Sequence, residues 1–373
     1  MQINRYIQSD ISDWMPQRMV FVGGPRQVGK TYLAKTFLKS KMGYLSWDSS
    51  EDRELIKKHQ LPIDQNVLVL DEIHKYPKWR MLTKGYYDKH KDQLQIIVTG
   101  SARLDHFRKG GDSLFGRYHY MRLHPFSLSE IDSQFRMASV HDLLKFGGFP
   151  EPFLKQNENF AKVWRRERKA KVIHQDLRDL TQLKDYVQLE MLADILPSRV
   201  GSLLSLNSLA EDLEKSPHTM AKWIEILNSV YQCYTIAPYG LPRIKAVKKQ
   251  QKMYLWDWSS IEDIGARFEN LVASHLLKYC HYIEDTQGDD MELRFMRDQF
   301  GREIDFVVLK NKKPIFAVEC KTGEKKLSPH IHYYKERSSI PTFYQVHLGT
   351  RSYKQDGVFV LPFNEFCKQV GLV

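Results

Sequence analysis

Residues Gly24-Pro25-Arg26-Gln27-Val28-Gly29-Lys30-Thr31 spell a complete G-x-x-x-x-G-K-T loop. Its flanks give the pattern its force. Met19-Val20-Phe21-Val22 before it reads as a buried strand, and Tyr32-Leu33-Ala34-Lys35-Thr36-Phe37-Leu38 after it reads as a helix. Strand, glycine-rich loop and helix bring backbone N–H groups to a helix N-terminus, where they close around phosphate oxygens. Gly24, Pro25, Arg26, Gln27, Val28 and Gly29 are the expected cradle. Lys30 is expected to reach the β/γ-phosphates and Thr31 to hold Mg²⁺. ATP and Mg²⁺ are therefore the expected cofactors.

Val67-Leu68-Val69-Leu70-Asp71-Glu72 is an apolar run ending in two carboxylates. Metal holding and water activation need separate carboxylates, so Asp71 is assigned to the Mg²⁺ shell and Glu72 to the attacking water. Ile96-Ile97-Val98-Thr99-Gly100-Ser101 ends a further strand in small hydroxyl residues. Thr99 and Ser101 are candidates to sense the γ-phosphate or hold the water, with ordinary turn chemistry as the alternative. Arg117 follows Gly116 and has two readings: a finger for a neighbouring subunit's γ-phosphate, or a structural ion-pair partner. The first predicts a homo-oligomer.

At 373 residues the chain is long enough for two or three domains. With 42% hydrophobic and 27% charged residues it can form a core, which excludes wholesale disorder. The formal charge of +11 favours a polyanionic partner, nucleic acid and DNA first, against the alternative of a generally basic proteome. Cys233, Cys280, Cys320 and Cys367 show no C-x-x-C spacing, so neither a zinc ribbon nor a disulfide framework is indicated. The N-terminus has no signal-peptide pattern and no run of about 20 apolar residues occurs. A soluble, cytoplasmic protein without a membrane partner is expected.

An alternation of apolar runs and helical segments to about residue 150 predicts an α/β sheet. Its strands are placed at Arg18 to Val22, Gly43 to Trp47, Asn66 to Leu70, Gln95 to Thr99 and Tyr118 to Leu123. Gly147-Gly148-Phe149-Pro150-Glu151-Pro152 marks a boundary. Residues 153 to about 235 read as helical. Within them, Ser208 to Leu213 and Ser216 to Leu227 form a helix-turn-helix pattern, with Ser216 as N-cap and Pro217 at N1. Strands at Tyr231 to Pro238 and Lys252 to Trp256 complete a winged-helix pattern. From Tyr239 to Trp256 the chain carries Arg243, Lys245, Lys248, Lys249 and Lys252 without an acidic residue, a candidate phosphate-binding segment. The run Trp164-Arg165-Arg166-Glu167-Arg168-Lys169-Ala170-Lys171 is a weaker candidate, with a solvated helix face as the alternative.

A second α/β pattern begins near residue 257. It has a helix from Ile264 to Tyr279 and strands near Glu292–Arg297, Glu303–Leu309, Pro314–Cys320 and Thr342–Leu348. Glu303-Ile304-Asp305 and the later Ala317-Val318-Glu319-Cys320-Lys321 carry Asp, then Glu-x-Lys, the PD-(D/E)XK nuclease signature. Residues i and i+2 of a strand share a face, so Glu319 and Lys321 point together. Asp305 and Glu319 are candidate metal ligands, Lys321 would orient water or stabilise phosphorane charge, and Glu269 on the preceding helix is a fourth candidate. An inactive version of the same fold is the alternative.

The motifs at 24–31, Leu70-Asp71-Glu72-Ile73-His74, Thr99-Gly100-Ser101-Ala102, Leu114-Phe115-Gly116-Arg117 and Gly147 to Pro152 resemble those of prokaryotic AAA-type ATPases with a C-terminal DUF4143 domain. One departure is Phe115, where a small residue is more usual. The resemblance implies an α/β protein with a P-loop AAA+ core over 1–150, a helical and winged-helix segment over 151–256 and a restriction-endonuclease-like domain over 257–373. It implies ATP hydrolysis coupled to nucleic acid, with metal-dependent DNA cleavage as a further activity. The alternative is an ATP-controlled regulatory or assembly switch with a catalytically inactive C-terminal binding domain.

Overall fold

Five apolar strands at the N-terminal end assemble into one parallel sheet. They are β1 (Met19–Gly23), β2 (Tyr44–Ser46), β3 (Val67–Asp71), β4 (Gln95–Thr99) and β5 (Tyr118–Arg122), in the order β2-β3-β4-β1-β5. A computed structural model describes residues 3–100, 114–135, 139–177, 185–240 and 251–373. The chain divides into two compact units, Met1–His124 and Pro125–Val373.

In the first unit β1 and β3 are buried along their whole length. Continuous apolar strands of this kind belong in a parallel sheet covered on both faces. Phe21, Leu68, Leu70, Ile96 and Val98 share one core cluster with Trp79 and Leu82 of the helix Trp79–His90. The register pairs Asp71 with Thr99 and Val22 with Thr99. The carboxyl ends of β1, β3 and β4 therefore lie side by side, the edge at which open α/β sheets bind ligands.

The second unit is built on an eight-stranded mixed sheet. Its strands are β6 (Cys233–Pro238), β7 (Lys252–Leu255), β8 (Met291–Arg297), β9 (Glu303–Lys310), β10 (Lys313–Lys321), β11 (Phe343–His347), β12 (Tyr353–Gln355) and β13 (Val358–Pro362). Their order is β12-β13-β11-β10-β9-β8-β6-β7. β8, β9 and β10 are antiparallel, whereas β11 runs parallel to β10.

The helices Leu206–Asp212 and Pro217–Ser229 meet at a tight turn, where Ser216 accepts a hydrogen bond from the Thr219 N–H at 3.1 Å. The β6–β7 hairpin that follows them also pairs with β8, through Ala237 opposite Arg294. It is thus part of the C-terminal sheet.

The helix Ile264–Gln287 runs past the Tyr279 end that the sequence predicts. Its start is capped by Asp263, which accepts from the Ala266 N–H at 2.8 Å. Its stop is Gly288 at φ +76°, in the left-handed region glycine tolerates. Strands β12 and β13, short and following a turn, are absent from the sequence-based expectation. Among the described residues, no helix is long and apolar enough to cross a membrane.

Candidate nucleotide site and C-terminal carboxylate cluster

The loop after β1 has the backbone a phosphate cradle requires. Gly24 sits at φ +144°, and a Cβ there would lie 2.3 Å from the Leu123 carbonyl oxygen, so only glycine fits. Gly29, at φ +100°, caps the helix Lys30–Lys35. Buried Arg5 ties the loop to the end of β5, donating to the Val28 carbonyl at 2.8 Å and the His124 carbonyl at 2.5 Å. The Lys30 ammonium turns back on its own loop, to the Gly24 and Pro25 carbonyls at 2.8 and 2.7 Å. Carbonyls hold the charge that a phosphate would take over.

Asp71 is the hub of the site. One carboxylate oxygen, Oδ2, accepts from the Thr31 hydroxyl at 2.9 Å and the Tyr44 hydroxyl at 2.8 Å. The other, Oδ1, accepts from Thr99. Thr31 and Asp71 thus present two hard oxygens side by side, the donor set Mg²⁺ prefers. Burial, then the Asp71 charge, pushes the Tyr44 hydroxyl above its ordinary value, so it stays a donor. Tyr44 and Arg5 carry no motif and escape sequence reading: each reaches the site through a contact distant in sequence.

Glu72 adopts φ +54°, a left-handed backbone unusual for a side-chain-bearing residue. Its N–H donates to the Thr99 carbonyl at 2.9 Å, which fixes it beside β4. Its Oε2 is buried and accepts no hydrogen bond, with His74 Nε2 at 3.5 Å and Lys75 Nζ at 3.6 Å. Lys75 is itself held by Asp48 at 2.7 Å. Burial raises the Glu72 carboxyl above its ordinary value, against the opposing pull of Lys30 and Lys75. A desolvated carboxylate of raised pKa is a stronger proton acceptor than one in water. The loop, the two hard oxygens and this carboxylate fit a magnesium-bound nucleoside triphosphate.

In the second unit, Glu303 and Asp305 stand on β9, Glu319 and Lys321 on β10, and Glu269 on the helix Ile264–Gln287. Where the sequence predicts a divalent ion, the structure places an ammonium. Lys252, with its side chain 1% exposed, contacts Glu269 Oε1 at 3.1 Å, Glu303 Oε1, and Asp305 Oδ1 at 3.8 Å. Tyr254, two residues on, donates to Glu269 Oε1 at 2.7 Å. Asp305 Oδ2 accepts from the Cys320 N–H at 2.8 Å, and Glu303 Oε2 pairs with Arg297 at 2.7 Å.

Glu319 Oε1 accepts from Lys321 at 2.7 Å, as strand alternation predicts, while its Oε2 is buried without a hydrogen-bond partner. Burial and the Asp305 charge raise the Glu269 and Glu319 carboxyls. Burial works to lower the Lys252 ammonium, but Glu269, Asp305 and Glu303 outweigh it and hold it protonated. Among the described residues, no three His, Cys, Asp or Glu side chains group as a metal-holding set. Sequence does carry a signal for Lys252 and Tyr254: two polar-headed residues alternate on an otherwise apolar strand, hence share one face.

Residues 16–132 match the AAA domain family, 137–261 a domain of unknown function, DUF8612, and 264–366 another, DUF4143. The chain is an AAA-type protein with a C-terminal DUF4143 domain. An uncharacterised protein of Methanocaldococcus jannaschii is 21% identical over 95% of this chain and 86% of its own. Uncharacterised proteins of Haemophilus influenzae and Mycobacterium tuberculosis are each 22% identical, over 74% and 79% of this chain and 78% and 71% of theirs. A Bacteroides Pif1 structure bound to ssDNA aligns with 42% of the chain and 49% of its own at 16% identity, with a TM-score of 0.23, too low to carry an argument.

In this AAA-type chain Thr99 joins the candidate site through its hydrogen bond to Asp71, while Ser101 lies outside the described residues. Arg117 pairs with Asp88 in its own chain, Nε to Oδ1 at 2.7 Å, on the partly exposed surface. Lys252 is corrected: it is buried among carboxylates and leaves the phosphate-binding segment. Arg243, Lys245, Lys248 and Lys249 lie outside the described residues. The basic run of the helix Glu158–Lys171 is largely structural. Arg168 is buried against the Phe149 ring at 4.1 Å, Arg165 donates to Ser259 at 3.1 Å, and Lys169 pairs with Asp194.

Proposed function

We propose that the protein binds ATP and Mg²⁺ in the first unit, hydrolyses the ATP there and uses the cycle in work on nucleic acid, DNA first. The carrying observation is the division of labour between adjacent carboxylates: Asp71 is tied to Thr31, Tyr44 and Thr99, whereas Glu72 Oε2 accepts no hydrogen bond. Lys30 and the loop N–H groups would hold the phosphates, and Thr31 with Asp71 would hold the metal. Magnesium-bound ATP supplies an activated terminal phosphoryl group. Glu72 would take the proton from the attacking water, and Thr99 keeps β3 and β4 in the register that aims both carboxylates at one edge. Phosphate release by purified protein, with and without DNA, tests the reading. No Mg²⁺-dependent release by the wild type, or equal release by Glu72→Gln, would refute it.

A nucleic-acid partner is supported by the net charge of +11. For the second unit, cleavage would need Asp305, Glu319 and Lys321, with Glu269, to work around a divalent ion. The ammonium of Lys252 among these carboxylates supports the other reading: an ATP-controlled switch whose nuclease-like domain binds without cutting. A nuclease assay with Mg²⁺ or Mn²⁺ on single- and double-stranded DNA distinguishes them, since cutting that Asp305→Ala abolishes would restore the cleavage reading.

A further inference from the structure

We propose that Lys252 is the resident cation of the C-terminal carboxylate pocket, and that the pocket takes no divalent metal while Lys252 is in place. This rests on the binding-without-cutting reading of the second unit and is independent of the ATPase reading. The geometry begins with β7. Lys252 and Tyr254 lie two residues apart, so both side chains leave the same face of the strand. Both reach Glu269 Oε1, at 3.1 and 2.7 Å. The ammonium has three N–H donors and three carboxylates beside it, from Glu269, Glu303 and Asp305.

Three of the five remaining oxygens on Glu269, Glu303, Asp305 and Glu319 are committed as well. Asp305 Oδ2 takes the Cys320 N–H, Glu303 Oε2 takes Arg297, and Glu319 Oε1 takes Lys321. Glu319 Oε2 is buried without a hydrogen bond, and Glu269 Oε2 accepts none from the described residues either. Mg²⁺ and Ca²⁺ need about six or more oxygen ligands, some from water. Two uncommitted oxygens on separate carboxylates supply only a small part of that set. An incoming ion would have to displace an ammonium whose side chain is 1% exposed, and that charge would be stranded in the protein interior. The protein thus balances its own acidic cluster from β7.

The test is Mn²⁺ titration of the nucleotide-free full chain, read by the electron paramagnetic resonance signal of free Mn²⁺. Asp71→Asn in every sample removes any contribution from the nucleotide site. With Lys252 present, Asp305→Asn is expected to change Mn²⁺ binding by less than twofold. Lys252→Met, which keeps length and removes charge, is expected to gain one Mn²⁺ equivalent at least tenfold tighter, lost again when Asp305→Asn is added. A Mn²⁺ site in the Lys252 protein that Asp305→Asn removes would overturn the proposal. So would a folded Lys252→Met protein that binds no more Mn²⁺ than its parent. Circular dichroism checks folding. If Lys252→Met does not fold, Lys252→Gln takes its place, and the Asp305→Asn comparison stands without either. Failure here would leave the phosphate-release test of the first unit unaffected, and a nuclease assay on the same proteins reports separately on cutting.

Discussion

The Thr31 hydroxyl donates to Asp71 Oδ2 at 2.9 Å, joining the first turn of the P-loop helix to the end of β3. Two motifs 40 residues apart in sequence are thus one site. Thr31→Val keeps the shape and removes the donor and metal ligand. It should lower Mg²⁺-dependent ATP turnover at least tenfold and leave the thermal midpoint within a few degrees, because one hydrogen bond contributes only about 1 kcal/mol. A phosphate-release assay beside a melting curve checks both. Unchanged turnover would detach Thr31 from the metal.

Lys30→Ala and Glu72→Gln should fail differently. Lys30 is the ammonium already held at the loop by the Gly24 and Pro25 carbonyls, so its loss should abolish tight triphosphate binding. Glu72→Gln keeps the fold and the binding and removes the proton acceptor, a change of roughly 10²–10⁴-fold in turnover. Nucleotide affinity by fluorescent-analogue titration separates the two. Loss of affinity in Glu72→Gln would mean that the carboxylate holds nucleotide and does not activate water.

The first sheet, with the loop and carboxylates of the candidate nucleotide site at its edge, was legible because its signals are local. Each strand of the first sheet lies within a residue or so of its expected place, since a buried parallel strand is a continuous apolar run with polar punctuation. The C-terminal cluster was half legible. Strand alternation correctly puts Glu319 beside Lys321, 2.7 Å apart. It cannot foresee that the Lys252 ammonium arrives from a strand three positions away in the sheet, with β8 and β6 between β9 and β7. In sequence Lys252 ends a basic segment, with Lys248 and Lys249 shortly upstream, yet its neighbours in space are carboxylates. Long-range pairing decides its role, and composition carries no trace of that.

Arg117 has a pairing that can be tested. Its partner Asp88 belongs to the same chain, and exposed pairs of this kind are weak and readily exchanged. If Arg117 serves a neighbouring subunit, turnover per subunit should rise with protein concentration, and Arg117→Ala should lose turnover while keeping nucleotide affinity. Asp88→Ala, which frees the arginine, should then be neutral or faster. Turnover independent of concentration in a monomer of full activity would confine Arg117 to its ion pair.

Nucleic-acid binding should depend steeply on salt if the segment with Lys248 and Lys249 contacts phosphates. Each phosphate neutralised contributes about 0.9 to the slope of log K against log salt on duplex DNA. Replacing both lysines with glutamine should shrink that slope by about 1.8, as fluorescence anisotropy at several salt concentrations would read. Lys252→Gln should leave the slope alone, because that side chain is buried. A slope unmoved by the double substitution would assign the segment to something other than phosphate.

Acid should destabilise the second unit through His275. Burial depresses its pKa from an ordinary 6.5 to about 3, so in the folded protein the ring stays neutral. The neutral ring is locked by two hydrogen bonds, with Nε2 accepting from the Leu128 N–H at 2.9 Å and Nδ1 2.8 Å from the Leu271 carbonyl. Above pH 6.5 neither the folded nor the unfolded chain protonates this group. Below it the unfolded chain takes up a proton that the folded chain refuses, so stability falls with pH down to about 3. One unit is about 1.4 kcal/mol, which makes the loss between pH 6.5 and pH 5 about 2 kcal/mol. His275→Gln should be less stable at pH 7, having lost the shape of the ring, but its urea midpoint should fall less between pH 7 and pH 5. Other titrating groups contribute alike to both proteins, so the difference in slope belongs to His275. Tryptophan fluorescence can follow it, with the Trp258 ring tilted against His275 at a centroid distance of 5.9 Å. Parallel pH profiles for the two proteins would mean that the folded state opens to protonate His275 without cost, and that its burial contributes nothing to acid sensitivity.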